Sequence, residues 1–381
     1  MIRKLLTTAI AFYVGGGFLF SNKLRADALT PRPARHDFGV WVTGLDAKTI
    51  TLSTEKPRPD MRHPGVIGVY WAGGYGHAGA ILDSAEMTVT RIFTNFSDNS
   101  PPLCRSSELT LCEPVDLEGW AFQSDPRNVG LEFSEVRFET ALGPLGAWIV
   151  PAEGSKTWAI HVHGLGAARR EAIRMLPSYH RSGITSMVID YRNDPGAPSD
   201  PSGLYRFGLT EWEDLDAAVD YARQHGAEHL ILTGYSTGAA IVMAFTERSR
   251  HFEIVKAIVF DSPNIDMGST VRFAAAKENL PLIPMRVPRS LTTVAMAITD
   301  LRWGVKWDNI NYVESAGRLS VPVLVFHGKN DETVPIDVSR ALARADPEHV
   351  QLVEVPEAGH VMSWNADPSR YEEHLERFLA T

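Results

Sequence analysis

The sequence predicts an α/β architecture, a mostly parallel sheet flanked by helices, with a β-rich region ahead of it. Three observations carry that expectation. From about Val129 onward, apolar strand-like runs alternate with amphipathic helical segments. Several runs are apolar at consecutive positions, as strands covered on both faces are. Residues suited to chemistry directly follow the strands, where open parallel sheets place their ligand sites. The composition agrees: 381 residues, 44% apolar and 22% charged, exclude a disordered, collagen-like or coiled-coil chain. Lys plus Arg is 37 against 46 Asp plus Glu, a formal charge of −9, so no global attraction to phosphate backbones exists and nucleic acid is not an expected partner. The 2 cysteines exclude a disulfide scaffold and a Cys-rich zinc site.

The first segment, 1–28, reads as a signal peptide or signal anchor. Arg3 and Lys4 precede an uncharged run from Leu5 to Phe20, and charges resume at Lys23 and Arg25. Sixteen helical residues span about 24 Å, short of a hydrocarbon core of about 30 Å. Ala26-Asp27-Ala28 offers a small-residue cleavage site, and cleaved and anchored forms both fit. The expectation is therefore an exported or membrane-anchored protein, with possible membrane attachment through the N-terminus. Export would permit Cys104 and Cys112 to pair; two free thiols fit equally well.

Leu29 to Asp37, polar and carrying Pro31 and Pro33, reads as a linker. The region 29–128 as a whole is β-rich, with short runs such as Thr49–Leu52 and Val66–Trp71 broken by Gly, Pro and Asp. Met87–Phe93 alternates as a half-buried strand does. No chemical motif stands out there. In the region 129–381, strands are expected at Thr157–Val162, Thr185–Tyr191, His229–Thr233, Lys256–Phe260, Val321–Phe326 and Gln351–Val355. Leu215, Ala218, Val219 and Ala222 share one helix face, as do Tyr371, Leu375, Phe378 and Leu379.

After the His229 strand comes Gly234-Tyr235-Ser236-Thr237-Gly238, a G-x-S-x-G that opens a helix of small apolar residues. A sharp turn there projects the serine hydroxyl, and the helix N-terminus faces it. After the Thr157 strand comes His163-Gly164-Leu165-Gly166. Acyl transfer develops an oxyanion that needs preorganised donors, and the backbone N–H groups of Leu165 and Thr237 are placed to supply two. His163, Gly164, Gly166 and Tyr235 are expected to contact substrate. His161 and His163 form an H-x-H pair without a third ligand, so no metal site is expected. Asp331 follows the Val321 strand, and His360 follows the Gln351 strand. A serine hydroxyl is a poor nucleophile until a histidine takes its proton, and that histidine is oriented by a carboxylate. Ser236, Asp331 and His360 are thus the expected nucleophile, acid and base, with Asp261 as rival acid. Arg169, Arg170 and Glu171 start a solvated helix, or else hold the 163–166 loop or a substrate carboxylate.

Together these residues resemble the α/β-hydrolase superfamily, over roughly Val136 to Thr381. The arrangement is similar to bacterial serine hydrolases related to lysophospholipases and dipeptidyl-peptidase-like enzymes. Tyr191 to Pro198, with the leader and β-rich region, resembles an exported actinobacterial-type branch. The resemblance implies an α/β-hydrolase fold, no cofactor, and a helical insert in the lid position at 264–320, whose apolar residues fit either a pocket cover or a packed helical pair. It implies hydrolysis of carboxylic esters on a small-molecule or lipid-like substrate, and the insert's Pro281, Pro284 and Pro288, which read as a braced segment rather than a large mobile lid, lead to short-to-medium acyl chains as the expectation. A peptidase or amidase is the nearest alternative. A non-catalytic surface-binding protein on the same fold is the other. A serine at 236 disfavours aspartate-nucleophile dehalogenases and epoxide hydrolases.

Overall fold

A computed structural model of the chain describes residues 2–32, 36–96, 112, 114–122, 124–280, 284–315, 317 and 319–381. Cys104 and Pro281 lie outside the described residues, and with Cys104 the question of its pairing with Cys112.

Helix α1 (Ile2–Leu24) leads into a six-stranded antiparallel sheet. Its strands are β1 (Trp41–Leu45), β2 (Thr49–Ser53), β3 (Ile67–Trp71), β4 (Gly74–Ala85), β5 (Thr88–Asn95) and β6 (Asp116–Glu118), ordered β1-β2-β5-β4-β3-β6. One face carries a core of its own, with Ile50, Leu52, Ile67, Val69, Trp71 and Val89. Alternation in β5 is real, but it holds an unexpected residue. Val89, Arg91 and Phe93 point inward while Ile92 lies outside. Arg91 is tolerated in the core because each of its donors reaches a carbonyl, with Nε on Gly79 O, Nη1 on Met61 O and Nη2 on Gly65 O. Burial pushes its pKa down to about 10.

The second sheet has eight strands in the order β14-β13-β12-β11-β9-β10-β8-β7. They are β7 (Ser134–Thr140), β8 (Gly143–Val150), β9 (Thr157–Val162), β10 (Thr185–Ile189), β11 (His229–Tyr235), β12 (Val255–Asp261), β13 (Val323–Gly328) and β14 (Val350–Val355). From β10 to β14 every pairing is parallel; β7 and β8 form an antiparallel hairpin on the edge. That hairpin is absent from the sequence expectation, because Gly143, Pro144 and Gly146 interrupt its alternation. The helices are α2 (Leu176–Arg181), α3 (Trp212–Gln224), α4 (Thr237–Arg248), α5 (Met267–Ala275), α6 (Arg289–Trp303), α7 (Asp337–Ala345), α8 (Ser363–Ala366) and α9 (Pro368–Leu379). Leu215, Ala218, Val219 and Ala222 of α3 face the core, and Tyr371 and Leu375 of α9 do likewise. Two apolar clusters sandwich the sheet, which is why its inner strands read as unbroken apolar runs.

The insert supplies α5 and α6, and α1 lies beside α6. The Tyr13 hydroxyl bonds Ser290 Oγ at 2.8 Å, Thr299 Oγ1 donates to Ser21 Oγ at 3.1 Å and Arg302 Nη1 donates to Asn22 Oδ1 at 2.8 Å. Gly16 and Gly17 sit against Leu291, Val294 and Ile298, so small residues let the two helices approach. The linker expectation at Leu29 does not hold: its side chain is wholly buried in the main core, and its carbonyl accepts from Tyr205 N at 2.8 Å. Among the described residues, no helix is long and apolar enough to cross a membrane.

Candidate active site

The centre of the site is the turn between β11 and α4. Ser236 adopts φ +48°, ψ −116°, a strained conformation for a residue with a Cβ. The turn closes because position 238 is glycine; a Cβ there would stand 2.0 Å from Val162 O, at the end of the neighbouring strand β9. Ser236 N–H donates to Asp261 O at 3.0 Å, tying the elbow to β12. Helix α4 is buried from Thr237 to Phe245, which its small apolar residues permit.

Strands β13 and β14, on the same side of β11, bring in the other two groups. Ser236 Oγ–H donates to His360 Nε2 at 2.8 Å, and His360 Nδ1–H donates to Asp331 Oδ2 at 2.7 Å. The other carboxylate oxygen of Asp331 accepts from Thr333 N and Val334 N, each at 2.8 Å. His327, the penultimate residue of β13, was not singled out from the sequence. Its Nε2 lies 3.3 Å from Asp331 Oδ2 and 3.2 Å from Val334 O, and its Nδ1 accepts from Ser339 Oγ–H at 2.7 Å. Burial opposes the charge on Asp331, but the bonds from His327 and His360 outweigh it and hold the carboxyl well below the usual range. Only its position at a strand end beside Asp331 could have signalled His327.

Asp261 is wholly buried at the end of β12 and does not reach His360. Its Oδ1 accepts from Ser262 Oγ at 3.3 Å and Ser363 Oγ at 3.1 Å, while Oδ2 has no partner among the described residues. Burial pushes its pKa up to about 6, although the charge of Arg174 acts the other way. The two acids therefore differ sharply: Asp331 is bonded to two imidazoles, while Asp261 is buried at the end of β12, level with Tyr235.

The loop after β9 is held from below. Glu171 is buried, and its Oε2 accepts Gly164 N–H at 2.6 Å, so this residue holds the loop rather than opening a solvated helix. Arg169 pairs with Asp190 at 3.0 Å and Glu135 at 3.0 Å, and Arg170 lies over the Trp120 ring at 4.1 Å. Gly164 has no N–H to spare for an oxyanion, which leaves Leu165 N–H as the next donor along. Thr237 is the first residue of α4, so its N–H precedes the helical hydrogen bonds. Gly166 lines a cleft of about 450 Å³ with Arg32, Arg170, Asn193 and Tyr205.

Two expected substrate contacts are corrected. His163 is wholly buried, stacked on Tyr191 at 4.5 Å, with Nδ1–H donating to Gly164 O at 2.8 Å and Nε2–H to Asp194 Oδ2 at 2.9 Å. Burial opposes its charge, but Asp194 and these bonds prevail and push it up to about 9. It braces the loop from inside. Tyr235 is also wholly buried, because the residue before the elbow points to the opposite face of the sheet from Ser236. Its hydroxyl bonds His161 Nδ1 at 3.2 Å and Met175 Sδ at 2.9 Å. His161 and His163 thus have separate partners. His163, Asp190 and Asp194 stand close enough to share an ion, yet each carboxylate is already paired to His163 or Arg169.

Residues 159–374 match the model of the Alpha/beta hydrolase family. The uncharacterized protein Rv2307c of Mycobacterium tuberculosis is 26% identical over 222 residues, 57% of this chain and 68% of that protein. Among solved structures, the esterase Pf2001 of Pyrococcus furiosus superposes with a TM-score of 0.54 at 19% identity, covering 68% of this chain and 94% of its own. A second crystal form of the same esterase gives 0.53 at 18% identity, covering 68% of this chain and 96% of its own. At such identity the likeness is one of fold.

Proposed function

The chain belongs to the alpha/beta hydrolase family, and from that premise we propose that it is a serine hydrolase cleaving carboxylic esters with short-to-medium acyl chains. The observation that carries the reading is the continuous chain of hydrogen bonds from Ser236 Oγ through His360 to Asp331, 2.8 and 2.7 Å long. His360 Nε2 takes the hydroxyl proton as Oγ forms a bond to the ester carbonyl carbon, and the carbonyl π electrons move to oxygen. The N–H groups of Leu165 and Thr237 stabilise that oxyanion, each donor contributing on the order of 3 kcal/mol. Asp331, held anionic, stabilises the imidazolium. Collapse expels the alcohol with the proton from His360; water, deprotonated by the same nitrogen, then releases the acid from Ser236.

Several features support the finer parts. Pf2001 is named an esterase. The insert is braced by α1 along α6, which favours a fixed pocket wall over a large mobile cover and so limits chain length. Within the family, the branch related to lysophospholipases and dipeptidyl-peptidase-like hydrolases is the one proposed. Export or membrane association through the N-terminal segment, with the region 29–128 as an accessory unit, completes the proposal. The test is covalent capture of Ser236 by a fluorophosphonate, followed by kcat/KM across p-nitrophenyl esters of rising length beside an aminoacyl anilide. Capture lost in Ser236→Ala and a maximum at short or medium chains are expected. No capture, or a profile led by the anilide or by long chains, overturns the reading.

A further inference from the structure

The six-stranded sheet contributes no group to the triad, yet it is bonded to the segment that carries the base. His360 is followed by α8, and Asn365 of α8 is wholly buried where that helix meets the sheet. Asn365 Nδ2 donates to Val66 O, at the entry to β3, and to Gly119 O, at the exit of β6, each at 2.8 Å. Its backbone carbonyl accepts Val66 N–H at 2.8 Å. Its Oδ1 accepts from Arg174 Nη1 at 2.7 Å, and the same nitrogen donates to Gly119 O at 2.8 Å. Every hydrogen-bonding group of the Asn365 amide is thus engaged, three bonds in all, two of them across to the accessory sheet.

The approach is too close for any other residue at 65: a Cβ on Gly65 would stand 1.7 Å from Asn365 O. The Met61–Gly65 turn that makes this approach is itself held by the buried Arg91, through Met61 O and Gly65 O. On the other side of the base loop, Val361 N–H donates to Ser262 Oγ at 3.0 Å and Ser363 Oγ–H to Asp261 Oδ1 at 3.1 Å. The loop that presents His360 is therefore gripped between the end of β12 and the accessory sheet.

We propose that the six-stranded sheet is a clamp on the His360 loop and that Asn365 is the positioning residue through which it acts. This rests on the serine-hydrolase reading for its kinetic consequence, though not for its structural one. Displacing a base by about 1 Å costs on the order of 10²-fold in rate. The effect belongs in kcat, because the bonds of Asn365 act on the loop that carries the base and none of them reaches Ser236 or the 163–166 loop.

The experiment uses the full chain and three variants. Asn365→Ala removes all three side-chain bonds. Asn365→Asp keeps the acceptor for Arg174 and replaces the donor to Val66 O and Gly119 O by an oxygen that both carbonyls repel, so it carries the test if the alanine variant does not fold. Leu52→Ala weakens the core of the accessory sheet at β2, away from Val66, Gly119 and Asn365. Expected are a fall of 10- to 100-fold in kcat and in the fluorophosphonate capture rate for both Asn365 variants, with KM within about twofold. Amide exchange over residues 360–366 should quicken in the same variants, while Leu52→Ala lowers Tm and leaves kcat and that exchange at parental values. Parental kcat and unchanged exchange in Asn365→Asp overturn the clamp. If the parent is not captured by the fluorophosphonate, the hydrolase reading is what fails, and exchange over 360–366 alone decides the clamp: unchanged protection refutes it.

Discussion

The two sheets of this protein are built on opposite plans. In the eight-stranded sheet, parallel strands send all their carboxyl ends to one edge, and right-handed crossovers return the chain to the other. Residues far apart in the chain therefore meet: Ser236 lies 124 residues from His360, and Asp331 lies 29 from it. The six-stranded sheet is antiparallel, so its turns alternate between two edges. His36, Asp116 and Glu118 gather at its β6 edge, but none of its described residues joins the hydrogen-bond chain of Ser236, His360 and Asp331. The difference teaches that reactive groups accumulate where strand direction repeats, while an antiparallel sheet offers shape and support.

If that division holds, changes at the edge of the parallel sheet should abolish chemistry and spare folding. Ser236→Ala should lower kcat on the order of 10⁶-fold with the thermal transition intact; retained hydrolysis would refute the serine mechanism. Asp331→Asn should cost on the order of 10⁴-fold, because the histidine tautomer is no longer set. Asp261→Asn should stay within about tenfold, and steady-state kinetics giving the reverse order would mean that the carboxylates had been assigned the wrong way round. In the antiparallel sheet the pattern should invert. Trp71→Ala, in a wholly buried position, should cost about 3–5 kcal/mol of stability in urea unfolding. A kcat loss larger than the clamp explains would show that this sheet holds a functional group after all.

The pH responses sharpen the contrast further. Asp261 titrates near 6 in the folded chain, above its ordinary value of 3.8. The folded state binds that proton more tightly, so stability falls as pH rises from about 4 to 6 and then levels off. Asp261→Asn removes this decline, and its stability relative to the parent should climb across that window; a difference flat with pH contradicts the assignment. His77 in the accessory sheet behaves oppositely. Burial lowers it to about 4, although its bond to Ala121 O acts the other way. The unfolded chain takes up the proton first, so stability is lost as pH falls from 6.5 towards 4. His77→Gln, keeping a donor for Ala121 O, should show a smaller loss over that interval in the same unfolding series.

Much of the site was legible from local patterns. Apolar runs, turn glycines and the residue after each strand located β9 to β14, Ser236, Asp331 and His360, since a strand's carboxyl end and a G-x-S-x-G elbow are written within a few neighbouring residues. Which face each side chain takes was less legible. Charge alone would send Arg91 outward, but strand alternation sets it on the face of Val89 and Phe93, and it stays there because Gly79, Met61 and Gly65 offer carbonyls to the guanidinium. His163 opens the loop after β9 and Tyr235 precedes Ser236, yet both side chains are wholly buried, since neighbours along a strand point to opposite sides.

The order of motifs along the chain, the periodicity of its helices and strands and the chemistry of its turns are short-range properties, and they suffice to specify the α/β class and to single out Ser236, Asp331 and His360, which the structure joins by hydrogen bonds. The choice of Asp331 over Asp261, the support of Asp331 by His327, the docking of α1 on α6 and the grip of Val66 and Gly119 on Asn365 are pairings between distant segments. Such pairings follow from strand order, register and the close approach that packing permits, quantities that no short stretch of sequence contains.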